Sequence, residues 1–144
     1  MNKLILLVED DELDVISVQR SLKKLNDQYK LYTAFNGIEA MSMLKKDMNK
    51  GNRLPDVILL DLNMPKMGGL EFLKELRSNP EFKHIEVFIM TTSSEQSDRI
   101  SSQELGISGY IIKPLNFTDN NKRVDSMDAF VQFHMRKIFT SSAN

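Results

Sequence analysis

The residues most able to do chemistry stand directly behind short apolar runs. Glu9 and Asp10 follow Leu4-Ile5-Leu6-Leu7-Val8, Asp61 follows Val57-Ile58-Leu59-Leu60, Thr91 follows Val87-Phe88-Ile89-Met90, and Lys113 follows Tyr110-Ile111-Ile112. If these runs are neighbouring strands, three carboxylates share one rim and repel unless a cation or a proton intervenes. A hard divalent ion suits such a set, because magnesium takes oxygen ligands, keeps several waters and is commonly held by one or two carboxylates together with phosphate oxygens. The Lys113 ammonium and the Thr91 hydroxyl add donors for an incoming anion. Together these types describe phosphoryl transfer to a carboxylate, with metal and ammonium stabilising the phosphoryl oxygens.

Each residue alone has an ordinary explanation. Asp11, just before Glu12-Leu13, reads as a helix cap. Asp61, followed by Asn63, Met64, Pro65, Gly68 and Gly69, reads as the start of a turn. Thr91 suits a strand, Lys113 a solvated surface, Pro114 a strand end and Tyr110 a half-buried strand face. What the ordinary explanations leave out is that all of these residues arrive at strand ends.

Apolar runs at 4–8, 30–34, 57–60, 87–90 and 110–112 have strand length, and three are nearly continuous, as strands buried on both faces should be. The run around Leu31 and Thr33 is more polar and is expected at an edge. Between them lie helical periods: Leu13, Ile16, Ser17, Arg20, Leu22 and Leu25; Ile38, Met41 and Leu44; Leu70, Leu73 and Leu76; Ile100 to Leu105; and a longer last helix over 117–139. Strand and helix therefore alternate five times, which predicts an open parallel α/β sheet with helices on both faces and a site at the carboxyl ends of the strands. The polar stretch 47–55 reads as a mobile connection.

The chain has 144 residues, 41% hydrophobic and 27% charged, with a net charge of -1, and is expected to form a single domain over 1–144 with 139–144 as a frayed tail. So balanced a charge argues against nucleic acid or a membrane surface as partner. The absence of cysteine removes disulfides and thiolate chemistry and fits a reducing cytoplasm. No run has signal-peptide or membrane-span character. His84 and His134 lack partners at metal-binding spacing.

The stretches Leu-Ile-Leu-Leu-Val-Glu-Asp-Asp, Ile-Leu-Leu-Asp-Leu-Asn-Met-Pro-Lys-Met-Gly-Gly, Val-Phe-Ile-Met-Thr-Thr-Ser and Gly-Tyr-Ile-Ile-Lys-Pro-Leu resemble the signature blocks of response-regulator receiver domains. The resemblance runs from Lys3 to about residue 138. It implies a flavodoxin-like, CheY-like doubly wound sheet of five parallel strands in the order 2-1-3-4-5 with five helices. It also implies two-component signalling: a phosphoryl group from a histidine kinase or phosphotransfer protein is accepted on Asp61 with Mg2+ bound, and binding to a downstream protein then changes. By the same resemblance Asp10 is a direct metal ligand, Glu9 an acid reaching the metal through water, and Asn63 the donor of a backbone carbonyl to it. Thr91 is the hydroxyl that swings to the phosphoryl group, Lys113 the ammonium that contacts it, Tyr110 the aromatic switch and Pro114 the site of a cis peptide. Such a chain is not an enzyme but catalyses its own phosphorylation and dephosphorylation. Gly37-Ile38-Glu39-Ala40 and the later Leu-Asn-Phe-Thr look most like stand-alone receivers paired with bacteriophytochrome-type kinases, without an output domain. Thr92, often a smaller residue in the family, is expected to narrow access.

The rival readings are a haloacid-dehalogenase-like phosphatase using Asp61 as nucleophile, which usually wants an acid where Asn63 stands, and a flavodoxin-like electron carrier, which wants a hydroxyl-rich phosphate loop where the three acids stand. Val124, Met127, Val131, His134 or Met135, and Ile138 recur at helical spacing beside Phe130, Phe133 and Phe139. This breadth leads us to expect a homodimer through the C-terminal helix.

Overall fold

The computed structural model describes residues 3–24, 29–64, 67–91, 101–113, 116–119 and 122–131. Five strands, β1 (Lys3–Val8), β2 (Tyr29–Ala34), β3 (Val57–Asp61), β4 (Glu86–Thr91) and β5 (Gly109–Ile112), form one parallel sheet in the order β2-β1-β3-β4-β5. The helices are α1 (Glu12–Leu22), α2 (Gly37–Asn49), α3 (Gly69–Ser78), the helical residues 101–104 (α4) and α5 (Ser126–Phe130). The expected order and the edge position of β2 are both observed.

Successive strand residues point to opposite faces, and here both faces are covered. Leu6, Val8, Ile58, Leu60, Val87 and Ile89 pack with Leu44 of α2 and Phe72 and Leu76 of α3. Ile5, Leu7, Val57, Leu59, Phe88 and Met90 pack with Val18 and Leu22 of α1 and Met127 and Phe130 of α5. All five residues of β3 are buried, so an ionisable group at its end has no solvent to lean on and must find partners at the rim. Register brings the ends level: Val8 pairs with Leu60, Asp61 with Met90, and Thr91 with Ile112.

Local chemistry starts the helices. Asp11 caps α1 by accepting from the N–H groups of Leu13 and Asp14, and Asn36 caps α2 by accepting from Glu39. Three expectations need correction. The buried face of α1 carries Val18, Ser21 and Leu22, while Leu13 and Ile16 are exposed; three- and four-residue spacing fits more than one face of a short helix. The stretch 47–55 is not wholly a connection: it begins inside α2, and the Asn52 N–H donates to the Asp47 carbonyl at 2.8 Å just past the helix end.

The third correction concerns the last segment, which is not helical from 117. An antiparallel hairpin of β6 (Asn116–Asp119) and β7 (Lys122–Asp125) precedes α5. The register pairs Phe117 with Val124 and Asp119 with Lys122. Asp125 and Ser126 are N-cap types, which favours a helix start there. Val124 therefore leaves the supposed helical stripe. Met127, Phe130 and Val131 are core, with Phe130 meeting Phe88 edge to face at 4.9 Å between centroids. Phe133, His134, Met135, Ile138 and Phe139, on which the homodimer expectation rests, lie outside the described residues, as do the frayed tail, Thr92 and Pro114.

Candidate phosphoryl-accepting site

The fold gathers the strand-end residues at one rim. One carboxylate oxygen from each of Glu9, Asp10 and Asp61 lies within 4.8 Å of the others. Glu9 and Asp61 are buried and Asp10 is exposed, so the group opens to solvent on the Asp10 side. Asp61 ends β3 and is held by the loop behind it, where the Asn63 N–H donates to its Oδ1 at 2.9 Å. The start of α3 crosses close above this loop. A Cβ on Gly69 would stand 2.3 Å from the Asp61 carbonyl oxygen and 2.6 Å from the Leu62 Cα, so no side chain fits there.

Across the rim, the Lys113 Nζ lies 2.8 Å from Glu9 Oε2, 2.7 Å from Asp14 Oδ2 and 3.4 Å from Asp61 Oδ2. The Lys113 N–H donates to the Thr91 carbonyl at 2.8 Å, extending the β4 and β5 pairing by one residue and aligning both side chains with the rim. Thr91 is buried, and its hydroxyl donates to Asn63 Oδ1 at 2.6 Å. Tyr110 is half-buried against the core on the α3 side of the sheet. Asp11, the acid read as a cap, caps α1, and its N–H donates to Glu9 Oε1 at 3.1 Å. His84 is exposed.

Burial raises the Glu9 carboxyl; hydrogen bonding and charge from Lys113 oppose this, the Asp61 charge adds to it, and the result is about 8. For Lys113, burial pulls the ammonium down, but hydrogen bonds to Asp14 and Glu9 and the Asp61 charge more than offset it and leave it above the ordinary lysine value. The rim therefore calls for positive charge among its acids. An all-oxygen donor set with one open side is compatible with a hard divalent cation, which Asp10, Asp61 and Glu9 would hold.

Asp14 was not singled out from the sequence, although it stands four residues after Asp10, one turn away if the chain turns helical at once. Arg77 also carries no motif. Its guanidinium donates to the carbonyls of Leu105, Lys83, Ile85 and Gly106 at 2.7 to 2.9 Å, joining the end of α3 to the segments that lead into β4 and β5.

The sheet order and the acidic rim are those of a receiver domain, and the chain belongs to the response regulator receiver domain family, whose profile matches residues 5–125. Receiver domains of two-component systems accept phosphoryl groups from histidine kinases and are not generally classed as enzymes. The chain is 40% identical over 129 residues to response regulator Rcp1 of Synechocystis sp., covering 89% of this chain and 88% of that protein. The solved Mn(2+)-bound form of Rcp1 superposes with a TM-score of 0.79 at 37% identity, covering 91% of this chain and 93% of that one. The phosphorylated cyanobacterial phytochrome response regulator RcpA superposes with a TM-score of 0.79 at 32% identity, over 100% of this chain and 98% of that one. Nothing in these likenesses supports the phosphatase reading. No helix among the described residues is long and apolar enough to cross a membrane.

Proposed function

We propose that Asp61 is the phosphoacceptor of this receiver, that Mg2+ is the resident ion on Asp10, Asp61 and Glu9, and that Lys113, Thr91 and Tyr110 read the phosphorylated state. One observation carries the reading. The Asp61 carboxylate shares an oxygen cluster with Glu9 and Asp10 while an ammonium waits 3.4 Å away. When bound, the cation neutralises the acids and stabilises charge on the phosphoryl oxygens.

An Asp61 oxygen attacks phosphorus and forms a P–O bond. The P–N bond of a phosphohistidine, or the P–O bond to acetate in acetyl phosphate, breaks with its electron pair leaving on the imidazole or acetate. Water later attacks phosphorus, releasing inorganic phosphate and restoring the carboxylate. The backbone N–H of Asn63 holds Asp61 in place, and Lys113 donates to a phosphoryl oxygen. Thr91 exchanges its hydrogen bond to Asn63 for one to the phosphoryl group. Tyr110, on the neighbouring strand, then adjusts its packing and alters the surface offered to a downstream protein. Likeness to RcpA, a phytochrome response regulator, supports a phytochrome-type kinase as donor.

The test is incubation with acetyl phosphate and Mg2+, with intact mass as the readout. Wild type is expected to gain one phosphoryl group and Asp61→Asn none. Incorporation by Asp61→Asn at the wild-type rate would overturn the assignment.

A further inference from the structure

The Lys113 ammonium has three N–H donors and three carboxylates around it, and these do not play equal parts. Asp61 and Glu9 belong to the oxygen cluster that suits a cation, whereas Asp14 does not. Asp14 nevertheless makes the shortest contact, 2.7 Å, from the first turn of α1. A lysine ammonium sits on a flexible four-carbon stem and has no fork geometry of its own, so its acceptors decide where it stays. Lys113 is only 8% exposed, and water contributes little to holding it.

A cation held by Glu9, Asp10 and Asp61 would neutralise the two acids that also hold Lys113 and would repel the ammonium directly. Asp14 is outside that set and keeps its full charge toward the lysine. Its own place is secure, because its N–H lies over Asp11 Oδ1 at 3.4 Å and the Asp11 cap pins the start of α1.

We propose that Asp14 is a positioning residue that retains the Lys113 ammonium beside Asp61 when the cation site is filled. The inference rests on Asp61 as phosphoacceptor and Lys113 as its ammonium contact. Asp14 touches no reacting atom. It supplies the counter-charge that the cation withdraws from Lys113, and it ties the end of β5 to α1.

The full-length chain is tested with acetyl phosphate at saturating Mg2+, as wild type, Asp14→Asn, Lys113→Ala, the double variant and Asp61→Asn, with calorimetric Mg2+ titration of each. Asp14→Asn is expected to lower the initial phosphorylation rate about tenfold while Mg2+ affinity stays within about twofold, the scale of coupling between residues in contact. In the Lys113→Ala background the same substitution is expected to change the rate by less than about twofold, because nothing remains to position. A purely structural role predicts equal losses in both backgrounds, and that result overturns the inference, as does a wild-type rate for Asp14→Asn. If Asp61→Asn is inert while Asp14→Asn is normal, only the Asp14 role falls. If Asp61→Asn accepts phosphoryl at the wild-type rate, the underlying reading falls with it.

Discussion

The two rims of the sheet use charged side chains to opposite ends. At the carboxyl rim, Glu9, Asp14 and Asp61 crowd around Lys113, Asp10 joins the same oxygen cluster as Glu9 and Asp61, and burial holds Glu9 up at about 8. At the amino rim, Arg77 donates to four backbone carbonyls, while Asp56 accepts from the Leu4 N–H at 2.8 Å and from Arg53 at 2.6 Å. Arginine meets carbonyls that need donors, so the amino rim is satisfied by the chain alone and contributes stability. The carboxyl rim carries more acid than its lysine balances, which suits it to the cation proposed above. Sites of this kind are expected to trade stability for function, and substitutions at the two rims should separate the two properties.

The largest effect on stability is expected from Arg77→Ala, which leaves four carbonyls short of a charged donor. A loss of about 3 kcal/mol is expected, read from the urea midpoint, with phosphorylation by acetyl phosphate otherwise intact below the transition. A loss of phosphorylation in the folded variant would show that the rims are coupled, contrary to this comparison. Arg77→Lys should recover little, because an ammonium cannot fork between carbonyls on different segments.

Next in size is the response of the opposite rim to its ligand. Mg2+ at about one hundred times its Kd should stabilise the wild type by about 2.7 kcal/mol, seen as a rise in Tm that a chelator reverses. Asp10→Asn should lose most of that rise, and its metal-free Tm should match or exceed that of the wild type because one repelling charge is gone. An equal Mg2+ response in both proteins would contradict the assigned ligand set.

The smallest effect is expected between the rims. The Ser21 hydroxyl is buried on the inner face of α1 and has no hydrogen-bond partner among the described residues. Ser21→Ala should therefore raise stability by about 1 kcal/mol and leave Mg2+ binding unchanged. A destabilised variant would show that the hydroxyl has a partner after all.

The sheet and most of the rim were legible in the sequence because central parallel strands are apolar on both faces. A charged or hydroxyl residue directly after such a run must emerge at an end, which is how Glu9, Asp61, Thr91 and Lys113 could be named together. Tertiary structure decided how they are paired. Glu9 and Lys113 are separated by 104 positions and meet at 2.8 Å only because strand register brings their ends level. The cap at Asp11 and the place of Asp10 among the rim acids were already legible, but only the fold put Asp14 on the lysine. Arg77 was illegible because its four acceptors are backbone carbonyls, which every residue possesses. The hairpin before α5 was missed for a related reason: apolar spacing over 117–131 fits a helix locally, and only pairing and packing choose between periods. Local pattern determines which residues reach the rim, while the long-range register of the strands determines which charges meet there.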